Sequence, residues 1–195
     1  MDRIYLDHAA TTPLDARVLA AMSPYFLAEP KKVGGSLFRI YRDTRFSNDK
    51  RPFKTNVGIQ FRHRSGADAH APAFYLHLEP GECFLGAGCW HPDGPATARI
   101  REAIGTNSRA WKRAVHTPAF RAHFDLWGES LKRPPRPFAA NHPLIIDLKR
   151  KDFIALADLT DDQTTVPGFF AAYVRACQKA APLVEFLCRA LDLPF

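Results

Sequence analysis

Tyr75, His77 and Glu79 stand two residues apart, and all three can trade a proton. In an extended chain successive side chains point to opposite faces, so this phenol, imidazole and carboxylate project from one face of one strand. A histidine between such neighbours can exchange a proton near neutral pH, which makes His77 and Glu79 the candidate acid/base pair. A second group is cationic: Arg39, Arg42, Arg45, Lys50 and Lys54 crowd one short stretch with Asp43 among them. Guanidinium forks match the oxygens of carboxylate or phosphate. Arg39, Arg42, Asp43, Arg45, Lys50, Lys54 and Tyr75 are therefore the expected ligand-binding set. The same residues also suit a solvated sheet face held by charge pairs, Arg42, Asp43 and Lys50 included.

Other chemistry is less well supported. His77, Glu79, His91 and Asp93 offer donors that suit first-row metals, but their spacing matches no established motif, and no metal is expected. Cys177 and Cys188 fall on the apolar side of a helix, as core cysteines do. Cys83 and Cys89 lie near Arg and His residues, and no CxxC pair occurs. Phosphate-cradling glycine loops, nucleophile elbows and HExxH zinc motifs are absent from the sequence. The basic stretch Arg45–Lys54 lacks the interleaved exposed aromatics that single-stranded nucleic acid requires.

Positioning these groups needs a sheet. Leu37–Phe46 alternates, with Phe38 and Ile40 on one face and Arg39, Tyr41, Asp43 and Arg45 on the other, a half-buried strand at least to Arg42. Thr55–His63 sets Val57, Ile59 and Phe61 against Asn56, Gln60 and Arg62. Phe74–Glu79 sets Phe74, Leu76 and Leu78 against Tyr75, His77 and Glu79. Pro80-Gly81 marks a turn, and Glu82–Cys89 returns as a hairpin partner. If the strands are neighbours, their polar faces merge into one patch with side chains about 5 Å apart.

Helices follow. Asp93, with Pro95 in the first turn, caps one running to about Ile104 with Gly105 as its stop. Ser108 opens a short helix carrying Trp111 and Val115. Thr117-Pro118 opens another to about Phe124, and Asn141 with Pro143 precedes one over Leu144–Lys149. Phe153–Leu159 is a late strand. Phe169, Tyr173, Cys177, Val184, Leu187 and Leu191 trace a long amphipathic helix that Pro182 should divide. The fold class expected is α+β: an antiparallel sheet of about four to five strands packed on one side by helices, with a long C-terminal amphipathic helix. Ahead of this, Met1–Leu6 suggests a strand, and Asp15 opens a helix carrying Val18, Leu19, Met22 and Phe26, with Pro24 as a kink.

The 195 residues suit one domain with a short appendage. With 46% hydrophobic and 24% charged residues, a disordered or fibrous chain is excluded. No apolar run reaches membrane-helix length, and no signal peptide is recognisable. Reduced thiols and a cytoplasmic location are expected. Twenty-seven basic against 20 acidic residues give +7, which favours anionic partners.

The run MDRIYLDHAATTPLDARVLAAMSPYF resembles the N-terminus of cysteine desulfurases, pyridoxal-phosphate enzymes of the class V aminotransferase type. The likeness covers about residues 1–28. It includes neither the family's Ser-x-His-Lys cofactor site nor a cysteine in the catalytic context, so residues 1–30 read as a fragment joined to something else. From Lys31 to Phe195 the chain resembles the bacterial family called domain of unknown function 2461. Its signature R-x-x-R-D-x-R-F followed by an Asp/Asn-Lys pair is met by Arg39, Arg42, Asp43, Arg45, Phe46, Asp49 and Lys50. Phe53 stands where the family usually has Tyr. YLHLEPG (75–81), WHPD (90–93), ESLKRP (129–134) and LKRKDFI (148–154) match as well.

The division expected is thus a desulfurase-like piece at 1–30 and a single α+β domain at 31–195. The function expected is binding of a small anionic, phosphorylated ligand on an Arg-rich sheet face. The residues leave open whether catalysis follows. The alternatives are a non-catalytic interaction module whose charged face docks a partner, and a desulfurase-like enzyme supported by the N-terminal fragment only. No cofactor, no nucleic-acid partner and no membrane association are expected.

Overall fold

Period-two alternation becomes strand where the apolar face finds a cover. The computed structural model describes residues 26–27, 36–43, 45, 48, 50–63 and 71–195. Within them six strands form one sheet: β1 (Phe26–Leu27), β2 (Val57–His63), β3 (Ala73–Leu78), β4 (Cys83–Cys89), β5 (Asp125–Trp127) and β6 (Phe153–Leu159). Their order is β1-β2-β3-β4-β6-β5, and every neighbouring pair is antiparallel. The helices are α1 (Gly94–Thr106), α2 (Ser108–Val115), α3 (Pro118–Arg121), α4 (Ile145–Leu148), α5 (Asp161–Thr165) and α6 (Phe169–Ala190). The α+β architecture is the one the patterning implies.

The apolar faces meet as expected. Phe61, Phe74, Leu76, Leu85 and Phe153 join Ile100, Ile104, Trp111, Leu183 and Leu187 in one buried cluster. Each such side chain contributes about 1.5–3 kcal/mol on burial. Asp93 accepts from Ala96 N at 2.8 Å and caps α1, and Thr117 accepts from Phe120 N at 3.2 Å and caps α3. Among the described residues, no helix is long and apolar enough to cross a membrane.

Several local expectations change. The described residues of Leu37–Phe46 form no named strand and make isolated bridges, Leu37 to Ile59 and Tyr41 to Phe53. The alternation is genuine, but a segment at a sheet edge needs only a few ladder bonds to follow its neighbour. Gly105 does not stop α1, which runs to Thr106. A Cβ there would stand 2.6 Å from the Phe138 ring, so the glycine admits that ring. The helix after Thr117 ends at Arg121, short of Phe124. Pro182 does not divide the last helix, which is continuous over Phe169–Ala190. Cys177 and Ala180 before it and Leu183, Val184 and Leu187 after it are all buried, and this packing offsets the missing backbone donor. Two elements are new: the three-residue β5, and α5, with a capping box between Thr160 and Gln163. Phe26 lies in a strand, not a helix, and β1 pairs with Arg62 and His63 of β2. The Met1–Leu6 strand and the rest of the helix opened by Asp15 lie outside the described residues.

Candidate functional site: a Tyr-His-Glu chain on the open sheet face

β3 sends Phe74 and Leu76 into the core and Tyr75 and His77 to the other face. Gly58 of β2 pairs with His77, and its missing side chain matters there. A Cβ on Gly58 would stand 2.6 Å from the Tyr75 hydroxyl, so the glycine leaves room for the phenol to lie across the strands. The hydroxyl then reaches His77 Nδ1 at 3.0 Å. Asn56, two residues before Gly58 and therefore on the same face, places its amide nitrogen 3.3 Å from the same Nδ1. Two donors at Nδ1 make it the acceptor and put the ring proton on Nε2, which donates to Glu79 Oε2 at 3.2 Å. Thr55 donates its hydroxyl to the other Glu79 oxygen.

The electrostatics follow from these bonds. The Thr55 hydroxyl first, and then the His77 ring, hold the Glu79 carboxyl below the usual glutamate range. Burial pushes the Tyr75 phenol up. The chain thus runs from the tyrosine hydroxyl through the imidazole to the glutamate carboxyl. Phe84 of β4 stacks under the imidazole, and Phe38 packs against Tyr75 with ring centres 5.7 Å apart. The Phe38 amide donates to Gly58 O at 2.9 Å, which fixes the phenylalanine on this face.

The cations divide. Lys54 Nζ lies 5.9 Å from the centre of the Phe38 ring, the ring that packs on Tyr75. Residues 40–42 lie back against 52–54 as an arm: Lys54 N donates to Ile40 O, Arg42 N donates to Pro52 O, and the Tyr41 and Phe53 rings meet at 5.5 Å. Arg39 and Lys50 are exposed and Arg42 is half-buried. Alternation from Phe38 takes Arg39 off the face that holds Tyr75. Arg45 makes a forked pair with Asp43, at 2.9 and 2.6 Å, and this pair lowers the Asp43 carboxyl and raises the Arg45 guanidinium. The structure therefore brings together Tyr75, His77 and Glu79, holds Lys54 against Phe38, and sets Arg39, Arg42, Asp43, Arg45 and Lys50 in the adjoining segment. On the same face Arg62 Nε donates to Gln60 at 3.0 Å.

His91 and Asp93 serve elsewhere, His91 against Asp152 and Asp93 at the start of α1. No group of three or more metal-ligating side chains stands together among the described residues. All four cysteines are free and buried, and burial pushes Cys177 and Cys188 up to about 12. Phe38, Thr55 and Phe84 escaped the sequence reading of the site. Thr55 opens the alternating run on the side of Val57, Ile59 and Phe61, opposite the polar set, while Phe38 and Phe84 look like ordinary strand aromatics. A second cluster, His116 with Asp147, escaped it entirely, because its partners lie 31 residues apart with no linking motif.

No curated protein and no solved structure matches the chain, so the desulfurase likeness gains no support from either comparison. A family model described as "Conserved hypothetical protein (DUF2461)" matches residues 10–186, beginning inside the desulfurase-like stretch. Since that match spans most of the sequence, the chain belongs to the DUF2461 family of conserved hypothetical proteins.

Proposed function

We propose that the chain binds a small phosphorylated molecule at the Tyr75–His77–Glu79 cluster, with Lys54 and the cations of the 39–54 arm supplying the opposite charge. One observation carries the reading: the consecutive residues Lys54, Thr55 and Asn56 set an ammonium over the Phe38 ring that packs on Tyr75, a hydroxyl on Glu79 and an amide on His77. A phosphoryl group at Lys54 sits next to a phenol and an imidazole that can share protons with it. The expected result is that inorganic phosphate raises Tm by mass action on the folded state, by a few degrees at about tenfold excess over Kd. Lys54→Ala should remove that rise, and Arg39→Ala with Arg45→Ala should reduce it. An equal rise in all variants, or with chloride at matched ionic strength, means that salt acts generically.

Exposed Ile40, Tyr41 and Phe53 on the same arm favour a second reading, an interaction module without chemistry. Phosphate without effect on a chain that still captures a protein partner through Tyr41 and Phe53 would select it. The pyridoxal-phosphate reading rests on residues 1–28 alone, and cofactor bound in the purified chain would be its support.

A further inference from the structure

A cleft of about 710 Å³ lies between α2, α3, the start of β5 and the turn around α4. Its size suits an organic ligand and exceeds what a bare oxyanion fills. Its walls combine buried apolar groups, Phe120, Phe124 and Leu144, with the charged groups of Lys112, Arg121 and Arg150. At its base sits Asp147, whose side chain is 5% exposed, so its charge must be compensated nearby. Arg150 Nε stands 3.7 Å from one carboxylate oxygen, and His116 Nε2 donates to the other at 2.8 Å. Arg121 donates to the remaining ring nitrogen, Nδ1. These partners put a ring proton on the Asp147 side and turn the Nδ1 lone pair to Arg121. Arg150 Nε is itself buried without a hydrogen-bond acceptor.

Charge in the cleft is unequal. Asp147 balances Arg150, and exposed Asp125 is the other carboxylate in the lining. Lys112 also borders a second hollow, of about 460 Å³, which Arg109 and Arg113 line with no acidic residue. The surplus is cationic, and the apolar walls lie directly against it.

We propose that this cleft is a second ligand site, distinct from the sheet-face cluster, that takes an organic anion with an apolar body. Arg121 and Lys112 hold the acidic group, and Phe120 and Leu144 face the body. Arg121 turns from His116 to the ligand's acid group, and the vacated Nδ1 is left to accept from solvent or from a hydroxyl on a ligand that carries one. Asp147 is a positioning residue that keeps the ring proton on Nε2 and so keeps Nδ1 an acceptor.

Phenyl phosphate is the probe, titrated by calorimetry against the full chain. It should bind at least about tenfold more tightly than inorganic phosphate or benzyl alcohol, since neither carries both halves of the recognition. Arg121→Ala with Lys112→Ala, both exposed positions, should weaken it about tenfold or more, and Arg121→Gln should do so in part. Lys54→Ala should leave it unchanged. Absence of saturable binding, or full binding by the double variant, overturns the proposal. Loss on Lys54→Ala instead assigns the probe to the sheet face and likewise overturns it. The nitrogen resonance of His116 Nδ1 should move on binding, and a stationary signal removes the histidine from the site.

Discussion

The imidazole of His77 lies flat on the ring of Phe84, with centres 4.7 Å apart and planes 9° apart. The stack fixes the plane of the imidazole, and its two nitrogens then face Tyr75 on one side and Glu79 on the other. Aromatic pairs of this kind contribute about 0.5–1.5 kcal/mol beyond their buried area. Phe84→Leu should therefore lower stability by about 1 kcal/mol in urea denaturation, and it should broaden the His77 ring signals. A variant as stable as the parent with unchanged ring signals would show that the stack positions nothing.

Glu79 offers a test by pH. Its carboxyl is held low first by Thr55 and then by His77. A depressed acid contributes stability that is present above its unfolded value and lost as pH falls through the folded one. Thr55→Val removes the larger cause, so Glu79 should protonate at a higher pH than in the parent, and the low-pH loss assigned to this group should shrink. Carbon NMR titration of the glutamate carboxyls checks this, and an unmoved midpoint rejects it.

Asp152 carries a larger stake. It is 1% exposed, and its two oxygens accept from the backbone amides of His91 and Glu129, each at 2.9 Å. His91 has φ of 48°, so this carboxylate pins a left-handed residue as well as the strand ends. Asparagine can accept at one oxygen but sets an NH₂ against the other amide. Asp152→Asn should cost about 2–4 kcal/mol and lower Tm by roughly 5–15 °C in a thermal scan. A loss below about 1 kcal/mol would mean that water replaces the carboxylate freely.

Pro182 should be a site where stability can be gained. Inside a helix, proline costs about 3 kcal/mol relative to alanine, partly offset by about 0.4–1 kcal/mol from its stiffer unfolded chain. Pro182→Ala restores an amide donor to the middle of α6 and should raise stability by about 1–2 kcal/mol. A destabilised variant would show that the ring packs a gap that alanine leaves open.

The sheet was legible because period-two alternation is a local signal that β2 and β3 carry over seven and six residues, while the Pro80-Gly81 turn marked β4 and an apolar run marked β6. The same signal failed at Leu37–Phe46. Alternation separates two faces without saying which is inward, and at this edge Phe38 joins Tyr75 rather than the core. The Tyr75, His77 and Glu79 part of the site was readable from one strand alone. Lys54 was readable as a charge but not as the cation beside that strand, since its place depends on how the arm folds back. Asp152 and the His116–Asp147 pair were illegible for one reason: each acts across many residues of sequence, and a single buried carboxylate leaves no pattern.

His77 stands between Tyr75 and Glu79. Its Nδ1 accepts from Tyr75 and Asn56, and its Nε2 donates to Glu79. Glutamine carries the same pair, an oxygen to accept and an NH₂ to donate, so His77→Gln can keep the chain connected while removing the imidazole. Phenylalanine does the reverse: it keeps a ring over Phe84 but leaves the Tyr75 hydroxyl, the Asn56 amide and the Glu79 carboxylate short of a partner. If hydrogen bonding holds this face together, His77→Gln should stay within about 1 kcal/mol of the parent, while His77→Phe should lose about 2 kcal/mol or more. Urea denaturation of both variants decides it. Phosphate binding should survive in the glutamine variant, since the charge at Lys54 is untouched, whereas any proton transfer to a bound ligand should stop. A glutamine variant that unfolds, or a phenylalanine variant as stable as the parent, would show that stacking and not the hydrogen-bonded chain positions the face, and His77 would lose its claim as the proton-carrying residue.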